Sequence, residues 1–405
     1  MPENKDNKIL NVPNLRFPEF EGEWQEKRLS DIADLSKGIG ISKDQLSADG
    51  EPCILYGELY TKYKSETIKE VISKTNIDNT KLVKSKANDV IIPCSGETAE
   101  EIATARCVLK DDILLGGDLN IIRLHGYDGS FMSYQLNGKR KYDIAKVAQG
   151  VSVVHLYGEH LKNIKTINPS LNEQKKIANL LSLLDERIST QNKIIEDLKK
   201  LRSAISKHLF ERRDLLGTKI KLSKVAELKN GYAFQSSKYN SLGEWKIITI
   251  TNVTGERYIK ENDCNCILEI PNDIQKHQKL KANDVLISLT GNVGRVSLCT
   301  EGLFLLNQRV GLLQLKVSED REYIYQALSS HKFENSMIAC AQGAAQMNIG
   351  KGDVENYILP YSFNRKNINV VASVLRAYDK YIINETNLQS ILHIQKQYLL
   401  RQMFI

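Results

Sequence analysis

The strongest constraint on the fold is an internal duplication of the chain. The sequence Lys-Ala-Asn-Asp-Val at 86–90 recurs without change at 281–285. Three further matches occur in the same order: 29–38 with 222–231, 148–150 with 341–343, and 207–210 with 401–404. Four ordered matches at a nearly constant spacing indicate a tandem duplication, in which each copy takes about half of the 405 residues.

The last part of each copy has the apolar spacing of a long helix. No proline or glycine interrupts 172–213, and such a helix would be roughly 60 Å long. Apolar residues recur there at spacings of three and four, and the end of the second copy repeats the pattern: Ile177, Leu181, Leu184, Ile188, Ile195, Leu198, Ile205 and Leu209, then Val371, Leu375, Tyr378, Ile382, Leu392, Leu399 and Met403. Each helix would expose a long apolar stripe. We therefore predict that the two helices pair as an antiparallel coiled coil, with homodimerisation of the chain as the alternative.

The rest of each copy predicts a mixed domain, so the fold class is α+β. Runs of β-formers predict strands, and two short helices are expected to end near Gly38 and Gly231. The predicted strands are 89–92, 120–124, 246–250 and 284–289, and the short helices are 29–34 and 222–227. The predicted domains are 1–170 and 214–362, each followed by a long helix, 171–213 and 363–405.

The loops of the two copies diverge where the framework agrees. After the shared pentapeptide, one copy continues through 91–99 and the other through 286–295 with different residues. A common scaffold with different loops is typical of two related readers of different targets. This pattern favours binding over catalysis.

Composition and motifs give little support to an enzyme. The sequence has no Gly-x4-Gly-Lys-Ser/Thr loop, no His-Glu-x-x-His and no Gly-x-Ser-x-Gly. Cys264 and Cys266 are two ligands at most where zinc wants four, so we favour two half-buried strand residues over a metal site. Seven scattered cysteines fit a reducing cytosol better than a disulfide framework.

Charge and hydropathy set the remaining limits. A net charge of +7 permits a polyanionic partner without requiring one. The first seven residues are polar, and no apolar run approaches the length of a bilayer span. The sequence predicts a soluble, cytoplasmic protein without a membrane partner.

Two segments carry a family resemblance. These are Val-Pro-Asn-Leu-Arg-Phe-Pro-Glu-Phe-Glu-Gly-Glu-Trp at 12–24 and Asn-Pro-Ser-Leu-Asn-Glu-Gln-Lys-Lys-Ile at 168–177. Together with the duplication they resemble the specificity subunits of type I restriction–modification systems, over essentially the whole chain. The second copy departs from the pattern, because 360–366 replaces the Pro-x-x-x-Glu-Gln entry to the helix.

The resemblance implies a tandem pair of α/β target recognition domains that bind DNA without catalysis. Each domain is expected to read one half of a split double-stranded target, with the helix pair setting the gap. Two modification (methyltransferase) subunits and restriction motor–nuclease subunits are the implied partners. No cofactor is expected in this chain: S-adenosylmethionine belongs to the modification partner, and ATP and Mg to the restriction partner. The alternatives are a pure assembly scaffold and a stand-alone enzyme.

Residues for DNA contact are predicted from loop position and side-chain chemistry. Arg, Lys, Asn and Gln donate to base edges or phosphates, although each has a competing role as a solvated or framework residue. The candidates are Lys43, Ser95, Thr98, Arg106, Gln149 and Ser152 in the first copy, and Lys238, Thr290, Asn292, Arg295, Gln342 and Gln346 in the second. Tyr232 and Phe234 are assigned to packing.

Overall fold

A computed structural model describes residues 11–150, 153–342 and 347–405. The chain divides into two compact units. The first unit comprises Met1–Asn192 and Leu388–Ile405, and the second comprises Lys193–Asn387. Each unit therefore contains one sheet domain and a part of both long helices.

The elements of the first copy run from residue 25 to residue 211. The strands are β1 (Gln25–Arg28), β2 (Ala33–Lys37), β3 (Leu46–Ser47), β4 (Glu51–Ile54), β5 (Thr67–Ile68), β6 (Ser73–Thr75), β7 (Val83–Lys84), β8 (Asp89–Pro93), β9 (Ser95–Gly96), β10 (Arg106–Val108), β11 (Leu114–Leu115), β12 (Leu119–Leu124), β13 (Val154–His155) and β14 (Lys165–Asn168). The helices are α1 (Leu29–Ile32), α2 (Glu58–Thr61), α3 (Ala99–Ile102), α4 (Gly129–Asn137), α5 (Lys141–Val147), α6 (Gly158–Leu161) and α7 (Leu171–Glu211), with a 3-10 turn at Lys43–Gln45.

Two five-stranded sheets form the core of the first unit. Their orders are β2-β12-β8-β10-β5 and β3-β6-β4-β11-β7. The central strand β8 is buried along its whole length. Val90 and Ile92 face a cluster shared with α3 and α4, while Ile91 faces the second sheet. Burial on both faces explains why this strand is apolar from Val90 to Pro93.

The elements of the second copy follow in the same sequence. The strands are β15 (Thr218–Lys221), β16 (Ala226–Asn230), β17 (Trp245–Ile248), β18 (Asn265–Ile267), β19 (Val285–Ser288), β20 (Val296–Leu298), β21 (Phe304–Leu306), β22 (Val310–Leu315) and β23 (Ile358–Tyr361). The helices are α8 (Arg321–Leu328), α9 (His331–Ala341), α10 (Lys351–Glu355) and α11 (Arg365–Gln402). Single 3-10 turns lie at Leu222–Lys224, Ser236–Lys238, Lys276–Gln278 and Ser318–Asp320.

The sheets of the second unit repeat the topology of the first. The order β16-β22-β19-β20 matches β2-β12-β8-β10, and β18-β17-β21 matches β6-β4-β11. In both units the second of these sheets contains a parallel pair, β4 with β11 and β17 with β21. The predicted duplication and mixed α/β fold are confirmed.

The repeated pentapeptide forms the turn before the central strand of each unit. Asn88 and Asn283 have φ values of 84° and 67°, a left-handed conformation that asparagine tolerates better than most residues. The Asp89 carboxylate accepts from the Lys86 amide at 2.8 Å, and Asp284 accepts from Lys281 at the same distance. The motif therefore has a framework role.

The two predicted short helices are corrected by the structure. Helix α1 ends at Ile32, and the 3-10 turn in the second unit ends at Lys224. The residues that follow pair as strands instead, β2 with β12 and β16 with β22. Gly38 and Gly231 accordingly follow strands rather than helices. A Cβ on either glycine would lie far inside van der Waals contact with the carbonyl oxygen of Gly116 or Asn307.

The long helices α7 and α11 pack antiparallel within each unit, as predicted. In the first unit, Leu184 and Ile188 of α7 pack on Leu392 of α11. The N-terminal end of α7 packs in a cluster with Met403 and Phe404, beyond the C-terminal end of α11. In the second unit the roles reverse, and the C-terminal end of α7 joins the cluster of Ile368, Val371 and Leu375 of α11.

A buried ion cluster joins both helices to the sheet domain of each unit. In the first unit, Lys396 of α11 lies 2.6 Å from both Glu66 and Asp185 of α7. In the second unit, Asp379 of α11 lies 2.9 Å from Arg202 of α7 and 2.8 Å from Arg257. Both long helices cross from one compact unit to the other. The division into the segments 1–170, 171–213, 214–362 and 363–405 stays a prediction from sequence.

Three properties considered from the sequence can be compared with the described residues: the cysteine pair, metal-binding groups and membrane-spanning helices. Cys264 and Cys266 are half-buried free thiols at strand β18. Within 11–150, 153–342 and 347–405, no group of three or more His, Cys, Asp or Glu side chains is placed to hold a metal ion. Over the same residues, no helix has both the length and the apolar character needed to cross a bilayer.

Candidate nucleic-acid interface

The loops that diverge in sequence meet at one edge of the first unit. Strand β9, directly after the central strand, pairs antiparallel with β13, which follows the Ala-Gln-Gly turn. The Cys94 carbonyl accepts from the Leu156 amide at 2.8 Å, and Gln149 and His155 exchange backbone hydrogen bonds of 2.9 and 2.7 Å. We call the segments 94–98, 116–118 and 149–157, as far as they are described, the loop edge of the first unit.

The second unit builds the same edge from its own copy of these segments. The Leu289 carbonyl accepts from the Ile349 amide at 2.9 Å, and the Gly291 amide donates to the Met347 carbonyl at 2.9 Å. Thr290 also pairs with Asn348. The segments 289–295, 307–309 and 347–349 form the loop edge of the second unit.

A turn held by equivalent backbone hydrogen bonds completes both edges. In the first unit, the Gly116 amide donates to Ile54 at 2.9 Å, and Asp118 accepts from Cys94 at 2.7 Å. In the second unit, the amide of Asn307 donates to Ile248 at 3.1 Å, and the carbonyl of Arg309 accepts from Leu289 at 3.0 Å. Residues 116–118 and 307–309 are therefore structurally equivalent, although their side chains differ. We call them the parallel-strand turn, because they follow β11 and β21, one strand of the parallel pair in each unit.

Most described candidates in the first unit lie on this edge. Ser95 pairs with His155, which Gln149 also contacts, and the Ser95 carbonyl accepts from the Tyr60 hydroxyl at 3.3 Å. Thr98 is exposed and caps α3 by accepting from the Glu101 amide at 3.2 Å. Cys94 is buried beneath the edge, and this burial raises its pKa to about 11.

In the second unit, too, three of the five described candidates lie on the loop edge, namely Thr290, Asn292 and Arg295. Asn292 is exposed. Gln342 is exposed at the C-cap of α9. Lys43 and Lys238 are exposed in 3-10 turns beyond Gly38 and Gly231.

Two of the predicted residues have partners within the protein, and two lie outside the described residues. The Arg106 guanidinium donates to the carbonyls of Tyr63 and Ala105, and burial lowers its pKa. The Arg295 side chain lies 3.6 Å from Glu334 of α9. Ser152 and Gln346 lie outside the described residues. DNA contact stays a prediction for all twelve candidates.

Several exposed residues of the two edges were missed in the sequence. His155 and Tyr157 stack with ring centroids 6.2 Å apart, and Tyr157 is 52% exposed. Asn348 and Arg309 are exposed on the second edge. Their proximity to the Ala-Gln-Gly turn offered a weak signal for His155, Tyr157 and Asn348. Nothing in the sequence marked Arg309.

Comparison with known proteins identifies the family to which this architecture belongs. The model of the type I restriction modification DNA specificity domain matches residues 21–200 and 218–393, most of the chain. The chain belongs to the type I restriction–modification DNA specificity family. Each matched stretch contains one complete sheet domain with its loop edge.

Individual members of the family match along nearly their whole length. The type I restriction enzyme MjaVIII specificity subunit of Methanocaldococcus jannaschii is 26% identical over 384 residues, which cover 88% of this chain and 85% of that protein.

Solved structures share the fold. The type I restriction–modification S subunit from M. genitalium aligns with a TM-score of 0.64 at 18% identity, over 97% of this chain and 99% of that one. A chain solved in work on complex assembly of the type I system aligns with a TM-score of 0.54 at 14% identity, over 94% of this chain and 97% of that one.

Proposed function

We propose that this chain reads a split double-stranded DNA target for a type I restriction–modification complex. The loop edge of each unit reads one half of the target, and the paired helices fix the number of unread base pairs between the halves. One observation carries the proposal: the same hydrogen-bonded edge occurs twice, with different side chains at its equivalent positions.

The geometry of the edges suits base reading. Discrimination between bases requires side chains held by a rigid support, because a misplaced donor loses its partner. Here the central strand, the parallel-strand turn and the segment after Ala-Gln-Gly are tied by backbone hydrogen bonds. The edges present amides and cations of the kind that read base edges in the major groove, such as Gln149, Asn348 and Arg309. Lys43 and Lys238 are exposed lysines of the kind that contact phosphates.

The partners follow from the family. Two modification subunits dock on this chain and methylate adenine with S-adenosylmethionine, and restriction motor–nuclease subunits use ATP and Mg. The chain itself contributes recognition and assembly rather than catalysis. These statements rest on family membership and are part of the proposal.

Mapping of methylated adenine across the genome tests the proposal. Cells expressing this chain with its modification subunit should methylate a split motif whose two halves differ. Cells with the modification subunit alone serve as the control and should lack that motif. An identical methylation pattern with and without this chain would mean that it does not read DNA, and a single uninterrupted motif would contradict reading by two edges.

A further inference from the structure

The parallel-strand turn carries opposite charges in the two loop edges. The turn reads Gly-Gly-Asp at 116–118 and Asn-Gln-Arg at 307–309. Equivalent backbone hydrogen bonds hold both turns, so the difference lies in the side chains that they present. Asp118 is exposed and lies 3.7 Å from Lys37. Arg309 is exposed in the other unit.

Arg309 combines a fixed backbone with an uncommitted side chain. Its carbonyl accepts from the Leu289 amide at 3.0 Å, and its amide donates to the Asn307 side chain at 3.1 Å. Thr290, the first residue of the adjoining loop, directly follows Leu289. No hydrogen bond or ion pair of the Arg309 guanidinium occurs with any described residue. Arg295, by contrast, lies within reach of Glu334.

We infer that Arg309 determines specificity in the second half of the target by contacting the N7 and O6 acceptors of a guanine. The inference rests on the proposed function. A guanidinium presents its donors in a planar fork that matches these two acceptors in the major groove. The Asp118 carboxylate offers only acceptors at the equivalent position and repels a guanine edge. One turn of a shared scaffold thus makes the two half-sites unlike.

The test compares Arg309→Ala, Arg309→Lys and a matched control in the complex with modification subunits. Arg213→Ala removes another exposed arginine of the same unit, at the end of α7. Competition binding is measured against the wild-type target and every single-base substitution of both halves. Arg309→Ala should reduce the preference for guanine at one position of the second half by roughly 5- to 150-fold. Arg309→Lys should restore the charge and only part of the preference, while Arg213→Ala should change neither.

Two results would overturn the inference. If Arg309→Ala weakens binding to all sequences equally and makes the salt dependence shallower by about one ion, Arg309 contacts a phosphate instead. If the variant keeps the full preference at every position, Arg309 does not read the target. Either result leaves the proposed function intact, provided the wild-type complex reads a split target. A wild-type complex without sequence preference contradicts the proposed function itself.

Discussion

Replacement of Lys396 by methionine tests whether the buried ion cluster holds the sheet domain of the first unit on the helices. Lys396 of α11 lies 2.6 Å from the carboxylates of Glu66 and Asp185, and the three side chains are only 11%, 12% and 8% exposed. The Tyr134 hydroxyl donates to Asp185 at 2.7 Å and completes the cluster. Methionine keeps most of the aliphatic length and removes the charge.

The expected loss in the free energy of unfolding is large because two buried carboxylates lose their cation. Breaking a buried pair by removal of one partner costs about 3–5 kcal/mol. The loss should also depend on pH. Burial raises the pKa of Glu66, while Lys396 opposes that rise, so the variant raises this pKa further. An acid with a raised pKa in the folded state binds its proton more tightly there, so stability falls as pH rises above about 4.3. The loss should therefore be greater at pH 8 than at pH 5.

Tryptophan fluorescence reports this unit separately. The chain has two tryptophans, the buried Trp24 in the first unit and Trp245 in the second, so a Trp245→Phe background isolates the first unit in urea unfolding. Lys69→Met is the control, because Lys69 also pairs with a residue of α7, Glu186, but both side chains are half exposed. This control should lower the free energy of unfolding by about 0.2–1 kcal/mol. Combining Lys396→Met with Glu66→Gln and Asp185→Asn should recover much of the loss. If Lys396→Met costs no more than Lys69→Met, the reasoning is wrong.

Two further predictions concern the scaffold. Gly231→Ala should lower the free energy of unfolding of the second unit by about 1–3 kcal/mol, because the added Cβ overlaps the Asn307 carbonyl. The control Gly352→Ala adds its Cβ to open space in α10 and should be neutral or stabilise by up to about 1 kcal/mol. Equal effects of the two substitutions would refute the packing argument. Four helix-forming residues inserted after Gln191 lengthen α7 by about 6 Å, so the gap in the methylated motif should widen by one or two base pairs. A two-residue insertion turns the apolar stripe of α7 by about 200° and should impair assembly. An active four-residue variant with an unchanged gap would mean that these helices do not set the spacing.

The fold could be predicted because its signals are local or self-similar. The heptad spacing that includes Leu184 and Ile188 in α7, and Leu392 in α11, appears in the sequence itself. The repeated pentapeptide indicates a turn closed by a hydrogen bond between its own first and fourth residues. The sequence shows that Gly38 and Gly231 are repeated, but its local pattern predicts helix ends there. Their requirement comes from a carbonyl far away in the chain, at Gly116 or Asn307, which no local pattern reveals.

The residues of the loop edges were harder to predict for the same reason. Arg309 is placed by bonds from its turn to Tyr232, Ile248 and Leu289, which are distant in sequence. Arg106 and Arg295 have suitable chemistry, but Arg106 begins strand β10, and the surroundings of both side chains supply carbonyl or carboxylate partners. The group that an arginine side chain binds depends on tertiary packing. Residue type and predicted loop position therefore do not distinguish an arginine with a partner inside the protein from one without.

Exchange of the second recognition domain tests independent reading most directly. Residues 214–362 are replaced by the corresponding segment of another family member with a different target, and methylated adenines are mapped in cells that also express the modification subunit. The account predicts that only the second half of the motif changes, while the first half and the gap stay as in the wild type. A change in both halves, or a change confined to the first half, would contradict the assignment of one half-site to each unit.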